Sequence, residues 1–290
     1  MNRFLALVFA LLLTGLTISS ACTAQSGDLL RFTLEPQSGG SGEVRARFQR
    51  DKHGDRNDWS SGFKPSELIG LDISGFRSAG TRPLRFALIR EAGRLDCGGN
   101  GGSSHAAGAC RLTPNPAFIE LLASRGIGRP TSDQLFGLVA LNVRRDLVDA
   151  LAAARYPTPS IDDLMGLTAL GATGGYISEL ARAGYRPQSI HRLMEFRALG
   201  INAAWIAAFT RIGYSGLPAQ DLVQIKALGI TPDFIAGYDR IGYRHLPVET
   251  LVQLKALNIT PDFVRSTVGQ KASLPPVDQL VEMKLFGRRR

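Results

Sequence analysis

From about Thr113 onward, hydrophobic and polar positions recur every 29 residues, a period expected of stacked supersecondary units. Four columns hold the register. Phe118, Leu147, Tyr176, Trp205, Phe234 and Phe263 form the first, and Ile119, Val148, Ile177, Ile206, Ile235 and Val264 the second. The third runs Leu135, Leu164, Leu193, Leu222, Leu251, Leu280. The fourth runs Ile127, Tyr156, Tyr185, Tyr214, Tyr243, with Gly126, Gly184, Gly213 and Gly242 before four of its members. One unit shows the local logic. Thr231 is placed to cap a helix, Pro232 suits its first position, and Asp233 complements the helix dipole. Phe234, Ile235, Tyr238 and Ile241 follow at helical spacing. Gly242 ends the helix in a left-handed conformation, with Tyr243 packing back. A second helix starts at Pro247, buries Leu251, Leu254 and Leu257, and ends at Asn258, where earlier units have Gly200 and Gly229. Each unit therefore reads as two short antiparallel helices. A hairpin of this size cannot cover its own apolar faces, so six units over 113–287 are expected to stack into an α-solenoid. The last unit departs from the pattern as a cap would, with Thr267 in place of an aromatic or Leu and Lys271-Ala272 in place of Gly-Tyr.

Upstream the period changes to two. Glu43 to Arg50 alternates polar and apolar residues, and Leu30 to Leu34 and Leu84 to Ile89 do the same, the mark of half-buried strands. Phe86, Leu88 and the Cys97 region are expected to share a core. Asp51 to Ser61 reads as a polar loop carrying His53 and Trp59, and a short helix is expected from Pro65. Residues 28–112 are thus predicted to form a small antiparallel β-rich domain, and the fold class is α+β. Trp59 and His53 are a candidate binding point, set against the plainer reading of Trp59 as a lid on a small core.

The first 22 residues read as a signal peptide. Arg3 gives the positive end, Leu5 to Leu13 the apolar run, and Ser19, Ser20 and Ala21 the small residues. That run is short for a membrane span. The chain is expected to be exported, and periplasmic or lipid-anchored to the envelope. Ser19-Ser20-Ala21-Cys22 is close to a lipobox, with Ser in place of Leu three residues before the cysteine, so Cys22 is a candidate lipidation site. The alternative is a signal peptide cut nearby, with Cys22 lost. Cys97 and Cys110 flank a Gly/Ser-rich loop, Gly98 to Gly108, and in an oxidising compartment are expected to form a disulfide fastening a β-hairpin.

Charge is basic overall, +9, but spread thinly. Residues 113–290 hold twenty Lys/Arg against fifteen Asp/Glu, and three of the twenty are the tail Arg288-Arg289-Arg290. That balance argues against nucleic acid as a partner, although the Gly-containing helix pairs faintly resemble helix-hairpin-helix units. Two cationic columns follow the repeat: Arg182, Arg211, Arg240, and Arg197, Lys226, Lys255, Lys284. Stacked, each would form a positive ladder able to hold an anionic polymer, lipid headgroups or an acidic protein face. Against this, both fall in the last turn of a helix, where a cation offsets the dipole by ~0.3–1 kcal/mol. The Tyr column could form an aromatic stripe, but its place after the helix-ending Gly favours packing. His53, His105, His191 and His245 have no metal-ligand spacing, Asp162 and Asp163 suit a helix start, and no nucleophile, phosphate-loop or dinucleotide motif occurs in the sequence. No cofactor, metal or catalytic residue is expected.

The junction Phe86-Ala87-Leu88-Ile89-Arg90-Glu91-Ala92-Gly93, the following Thr113-Pro114-Asn115-Pro116-Ala117-Phe118, and the pattern at Asp221 to Ile230 together carry a resemblance. Over residues 30–287 the chain resembles the C-terminal extension of bacterial antirepressor metallopeptidases of the β-lactam-response type, and their free-standing exported homologues. The resemblance implies a β-rich module joined to helical repeats and brings no protease activity, because the zinc motif and transmembrane bundle of the peptidase do not occur in this sequence. It also implies an unlinked glycine-rich hairpin where this chain has Cys97 and Cys110. The expected function is a non-enzymatic scaffold or sensor binding an envelope protein. The alternatives are a binder of anionic polymer or lipid through the ladders, and an enzyme with a site at the junction, near Trp59 and Phe118.

Overall fold

The structure is a computed structural model that describes residues 29–37, 42–52, 55–268 and 273–287. The expected signal peptide with Cys22, His53, the Lys271-Ala272 pair and the tail Arg288-Arg289-Arg290 lie outside the described residues. The architecture is α+β: an antiparallel sheet followed by a run of short helices.

Among the described residues seven strands form the sheet: β1 (Leu29–Pro36), β2 (Val44–Lys52), β3 (Asp55–Phe63), β4 (Leu68–Ile69), β5 (Arg82–Arg90), β6 (Gly93–Gly102) and β7 (His105–Pro114). Their order is β3-β2-β1-β7-β6-β5-β4, so β7 and β1, distant in sequence, are neighbours in the middle. A 3-10 turn at Pro65–Glu67 and a short helix α1 (Ile73–Arg77) join β3 to β5 around β4. The alternation predicted for β1, β2 and β5 holds. Leu30, Phe32, Leu34, Val44, Ala46, Phe48, Phe86 and Leu88 face one core with Cys97 and Cys110, and Arg31, Arg45, Arg47 and Glu35 face out.

Two sequence expectations are corrected here. Asp51 to Ser61 is not a loop: it supplies the end of β2 and most of β3, an edge strand paired residue for residue with β2. Only Trp59 and Phe63 on this strand are large and apolar, which hid its alternation. They suffice because they sit opposite Phe48 and Val44, while Asp58 on the other face binds Arg47. A charged outer face of this kind also protects an edge strand from unwanted pairing. Likewise Gly98 to Gly108 is strand almost throughout. The turn is only Ser103-Ser104, both left-handed (φ 52° and 63°), as a two-residue type I′ hairpin requires. Glycine is needed on these strands because the backbones approach closely. A Cβ on Gly108 would lie 2.3 Å from the Gly98 carbonyl oxygen and 2.7 Å from the Phe32 ring. The Cys97–Cys110 disulfide forms, but as a directly opposed pair well inside the β6–β7 ladder. Its Cα atoms are 4.0 Å apart.

The helices fall into two interleaved sets. The first, here the A helices, comprises α2 (Pro116–Ser124), α4 (Arg145–Ala153), α6 (Gly174–Arg182), α8 (Ala203–Thr210), α10 (Pro232–Arg240) and α12 (Pro261–Val268). The B helices are α3 (Ser132–Ala140), α5 (Ile161–Ala169), α7 (Ile190–Ala198), α9 (Ala219–Ala227), α11 (Val248–Ala256) and α13 (Val277–Phe286). Helices pack onto the member of their own set in the next unit, α4 on α6 and α5 on α7, which is the stacking a solenoid needs. The local signals act as read. Thr231 Oγ1 accepts from the Phe234 N–H at 3.1 Å, and Asn115, Thr173, Asn202 and Thr260 do the same for other A helices. Such caps are worth about 1 kcal/mol each. After the first five A helices a left-handed residue lets the next N–H reach back, as from Tyr243 to the Tyr238 carbonyl at 3.1 Å. Arg155 holds that left-handed position in the second unit (φ 57°), where the first, third, fourth and fifth units have Gly. Leu164, Leu193, Leu222, Leu251 and Leu280 are fully buried and form the spine of the stack.

Candidate functional site

Chain direction sorts the polar side chains. In each hairpin the end of helix A and the start of helix B lie on one edge, here the AB edge. The end of B and the start of the next A lie on the opposite, BA edge. Tyr214 Oη donates to the Leu246 carbonyl (2.7 Å) and Tyr243 Oη to the Pro275 carbonyl (2.6 Å), tying successive AB loops together. Tyr176 Oη donates to the Ile201 carbonyl on the BA edge (2.7 Å), and Tyr238 Oη to Ile259. Burial raises the pKa of Tyr176 to about 12 and that of Tyr156, Tyr214, Tyr238 and Tyr243 above the ordinary phenol value.

The two cationic columns lie on opposite edges and differ in their partners. On the BA edge, Arg197 sits over the Tyr176 ring at 5.3 Å, Lys226 over Trp205 at 5.0 Å, Lys255 over Phe234 at 4.9 Å and Lys284 over Phe263 at 4.8 Å. The geometry repeats in four successive units, so this column is engaged within the fold by cation–π contacts. Sequence reasoning assigned these residues to the helix dipole or to a ligand. The pairing was visible in the sequence as an aromatic column and a cationic column 21 residues apart.

On the AB edge, Arg182 and Arg211 are exposed, and each donates Nε–H to a carbonyl of its own helix, Ser178 and Ala207, at 3.3 Å. Arg240 is exposed at the equivalent place. Among the described residues none of the three is within ion-pair distance of a carboxylate. Beside them the AB loops enclose grooves. One of about 970 Å³ lies between the third and fourth units, lined by Tyr185, Arg186, Arg192, Thr210, Leu217 and Gln220 among others. A second, about 640 Å³, lies one unit further along, lined by Tyr214, Asp221, His245 and Glu249 among others. In the first groove Arg186 Nη1 donates to the Ala154 carbonyl at 3.0 Å, and Arg192 pairs with Glu195. Tyr185 Oη is buried there with no hydrogen-bond partner, although its counterparts Tyr214 and Tyr243 both reach a carbonyl 32 residues ahead.

The junction holds residues that sequence reasoning missed. Arg50 is only 3% exposed and bonds Asp133 in the first turn of α3 at 2.7 Å. Glu91, in the β5–β6 turn, accepts from the Arg145 N–H at 2.6 Å and so caps α4, whose own N-cap residue Arg144 makes no side-chain cap bond. Asn115 Nδ2 donates to the Glu91 carbonyl at 2.9 Å. Trp59 stacks on Phe48 (5.3 Å) and meets Phe63 and Phe136 edge-on (5.6 and 6.5 Å). Phe118 is buried. A cavity of about 200 Å³ lies between sheet and first unit, lined by Leu30, Arg50, Leu112, Pro114, Ser132 and Leu135. His105 Nε2 lies 3.3 Å from Glu35 Oε1 on the sheet, and His191 and His245 are exposed on separate units. Among the described residues no group of three His, Cys, Asp or Glu side chains could hold a metal, and no helix is long and apolar enough to cross a membrane.

Comparison with known proteins returned nothing to set beside this geometry: no family model, no curated protein and no solved structure matches the chain.

Proposed function

We propose that this protein is a non-enzymatic interaction scaffold of the bacterial cell envelope, and that it engages a protein partner through the AB edge of its repeats. One observation carries the reading: the division of cations between the edges. The BA column is occupied by aromatic rings. The AB column leaves Arg182, Arg211 and Arg240 exposed beside grooves between successive loops. Extended, loop-lined surfaces of this kind are what stacked repeats present to partners, and repeated charge there steers association. The export reading rests on Arg3, Leu5 to Leu13 and the small residues before Cys22. The relationship to antirepressor extensions rests on the junction and repeat motifs. The ladder alternative, anionic polymer or lipid, is weakened on the BA edge, where each cation already faces a ring.

Site-specific photocrosslinking in living cells tests the proposal. A photoreactive residue at Ser215 (AB edge) is expected to trap a discrete protein adduct in the envelope fraction. The same residue at Ala227 (BA edge) is expected to trap none. Equal adducts from both positions, or none from Ser215, would overturn the AB edge as the working surface.

A further inference from the structure

The basic charge of the repeats is not evenly spread. Residues 181–220 hold five Arg and one Glu, whereas the rest of 113–287 holds twelve Lys/Arg against fourteen Asp/Glu. The surplus therefore sits in the third unit and the start of the fourth. It also sits mainly on the AB edge, since Arg197 alone of the five lies over a BA-edge ring. The B helices of the other units open with Asp133, Asp162 and Asp163, Asp221, Glu249 and Asp278. The third opens with no acidic residue and carries His191 and Arg192. Basic residues at a helix start oppose the dipole, so local helix stability does not account for this choice.

The same place holds the larger groove. Arg186 and Arg192 line it, with Thr210, the neighbour of Arg211, and Ala183, the neighbour of Arg182. Its walls are also apolar, with Pro187, Phe196, Leu217 and Pro218. Tyr185 adds a buried phenol hydroxyl without a partner in the fold. Its repeat-equivalent acceptor would be the Leu217 carbonyl, and both residues line this groove. In the next two units the corresponding bond is made. The gap thus opens where two adjacent AB loops are not tied together.

We infer that the groove between the third and fourth units binds an extended acidic peptide segment, its carboxylates facing Arg182, Arg186 and Arg211 and its apolar side chains lying on Leu217 and the prolines. This rests on the scaffold reading above and names the chemistry of the partner. Arginine rather than lysine lines the groove, and its planar fork matches carboxylates in pairs. The apolar walls favour a peptide over a sulfated or phosphorylated polymer, whose repeating backbone brings no apolar side chains to fill them.

The test uses the chain from Thr23 to Arg290 and a fluorescein-labelled twelve-residue peptide alternating Glu with Leu or Val, read by fluorescence anisotropy. A Gln-for-Glu version and heparin serve as comparisons. Saturable binding to the Glu peptide is expected, weakened roughly tenfold by Arg186→Glu, which lines the groove, with Arg211→Glu beside it and by added salt. Arg240→Glu, on the same edge but outside this groove, is expected to change affinity by less than about twofold, and circular dichroism confirms that each variant folds. Equal binding of the Gln peptide, no binding of the Glu peptide, or equal losses from Arg240→Glu would overturn the inference. Heparin binding with the same arginine dependence and no peptide binding would also overturn it, in favour of a polyanion. Adducts from Ser215 without peptide binding would leave the scaffold standing and remove only this ligand.

Discussion

The first two repeat units and the four that follow solve one packing problem with different chemistry. In units three to six the third residue of helix A is aromatic, and a cation from the last turn of helix B lies over its ring. In the first two units the same pairs of positions hold Phe118 with Val139 and Leu147 with Thr168. The neighbours explain the change at the first. Val139 is fully buried and pressed against the sheet, its Cγ2 3.2 Å from where a Gly93 side chain would begin. A charge there would have no water. Along the open BA edge the rings of units four to six, Trp205, Phe234 and Phe263, are only half-buried. A Lys can then lay its stem on the ring while its head group stays wet. One repeat position therefore takes an apolar or a cationic residue according to what lies beyond it.

The largest expected effect breaks this comparison directly. Val139→Lys would bury an unpaired ammonium and is expected to destabilise by about 3–5 kcal/mol. Thr168→Lys, at the equivalent half-buried position one unit on, is expected to change stability by under about 1 kcal/mol. Urea denaturation measures both, and equal losses would show that the sheet is not what sets the choice. Next comes the shared spine. Leu222→Ala removes a fully buried side chain and is expected to cost about 2–5 kcal/mol, with the exact loss set by how far neighbours relax into the cavity. The disulfide follows. Cys97→Ser with Cys110→Ser opens a 13-residue loop and is expected to cost about 2–3 kcal/mol. If far-ultraviolet helical signal and sheet signal are lost together on heating, the sheet and the first units unfold as one body. Their continuous core, running from Leu30 to Leu222, predicts that outcome.

These regions also differ in how much their sequence disclosed. The helices were legible because capping Thr or Asn residues, Gly-Tyr pairs and spine Leu residues recur from unit to unit, so weak local signals reinforce one another. Strands β1, β2 and β5 were legible from alternation. Strand β3 was not, since Trp59 and Phe63 are too few to mark a face, and Gly98 to Gly108 resembles a loop because glycine is the commonest turn residue. There it serves close backbone approach instead, as Gly108 against Phe32 shows. The long-range polar pairs at the junction left no periodic trace in the sequence. Arg50 and Asp133 are 83 residues apart and Glu91 and Arg145 are 54 apart, and neither pair belongs to a period. Of the candidate site, the Arg182, Arg211, Arg240 column was visible. The local charge surplus was hidden by a sum over the whole repeat region. Tyr185 looked like every other member of its column, because the missing acceptor is a matter of loop placement.

Titration of the tyrosines gives a smaller effect. Burial favours the protonated phenol, so Tyr156, Tyr176 and Tyr238 keep their protons in the fold at pH values where the unfolded chain begins to lose them, near 10. The unfolded state then binds fewer protons, and stability falls as pH rises. The contribution is intact below pH about 10 and, for Tyr176, is lost as the pH passes through about 12. Tyr176→Phe is expected to cost about 1 kcal/mol at neutral pH through the bond to Ile201, and to make the alkaline decline of the urea midpoint shallower. An unchanged slope would show that Tyr176 titrates alike in both states.

The smallest effect is the most diagnostic of the two edges. A double-mutant cycle of Lys226→Gln and Trp205→Leu isolates the contact between them, since each single change removes the same pair. At 5.0 Å from ring to ammonium and with both side chains half-buried, a coupling of about 0.5–1 kcal/mol is expected. The matched cycle on the AB edge, Arg211→Gln with Tyr214→Phe, is expected to show coupling near zero, because the Arg211 Nε–H goes to the Ala207 carbonyl and the Tyr214 hydroxyl to Leu246. Coupling on the BA edge alone would mean that its cations are spent inside the fold and those of the AB edge remain available to a partner. Equal coupling on both would erase the distinction on which the assignment of a binding edge stands.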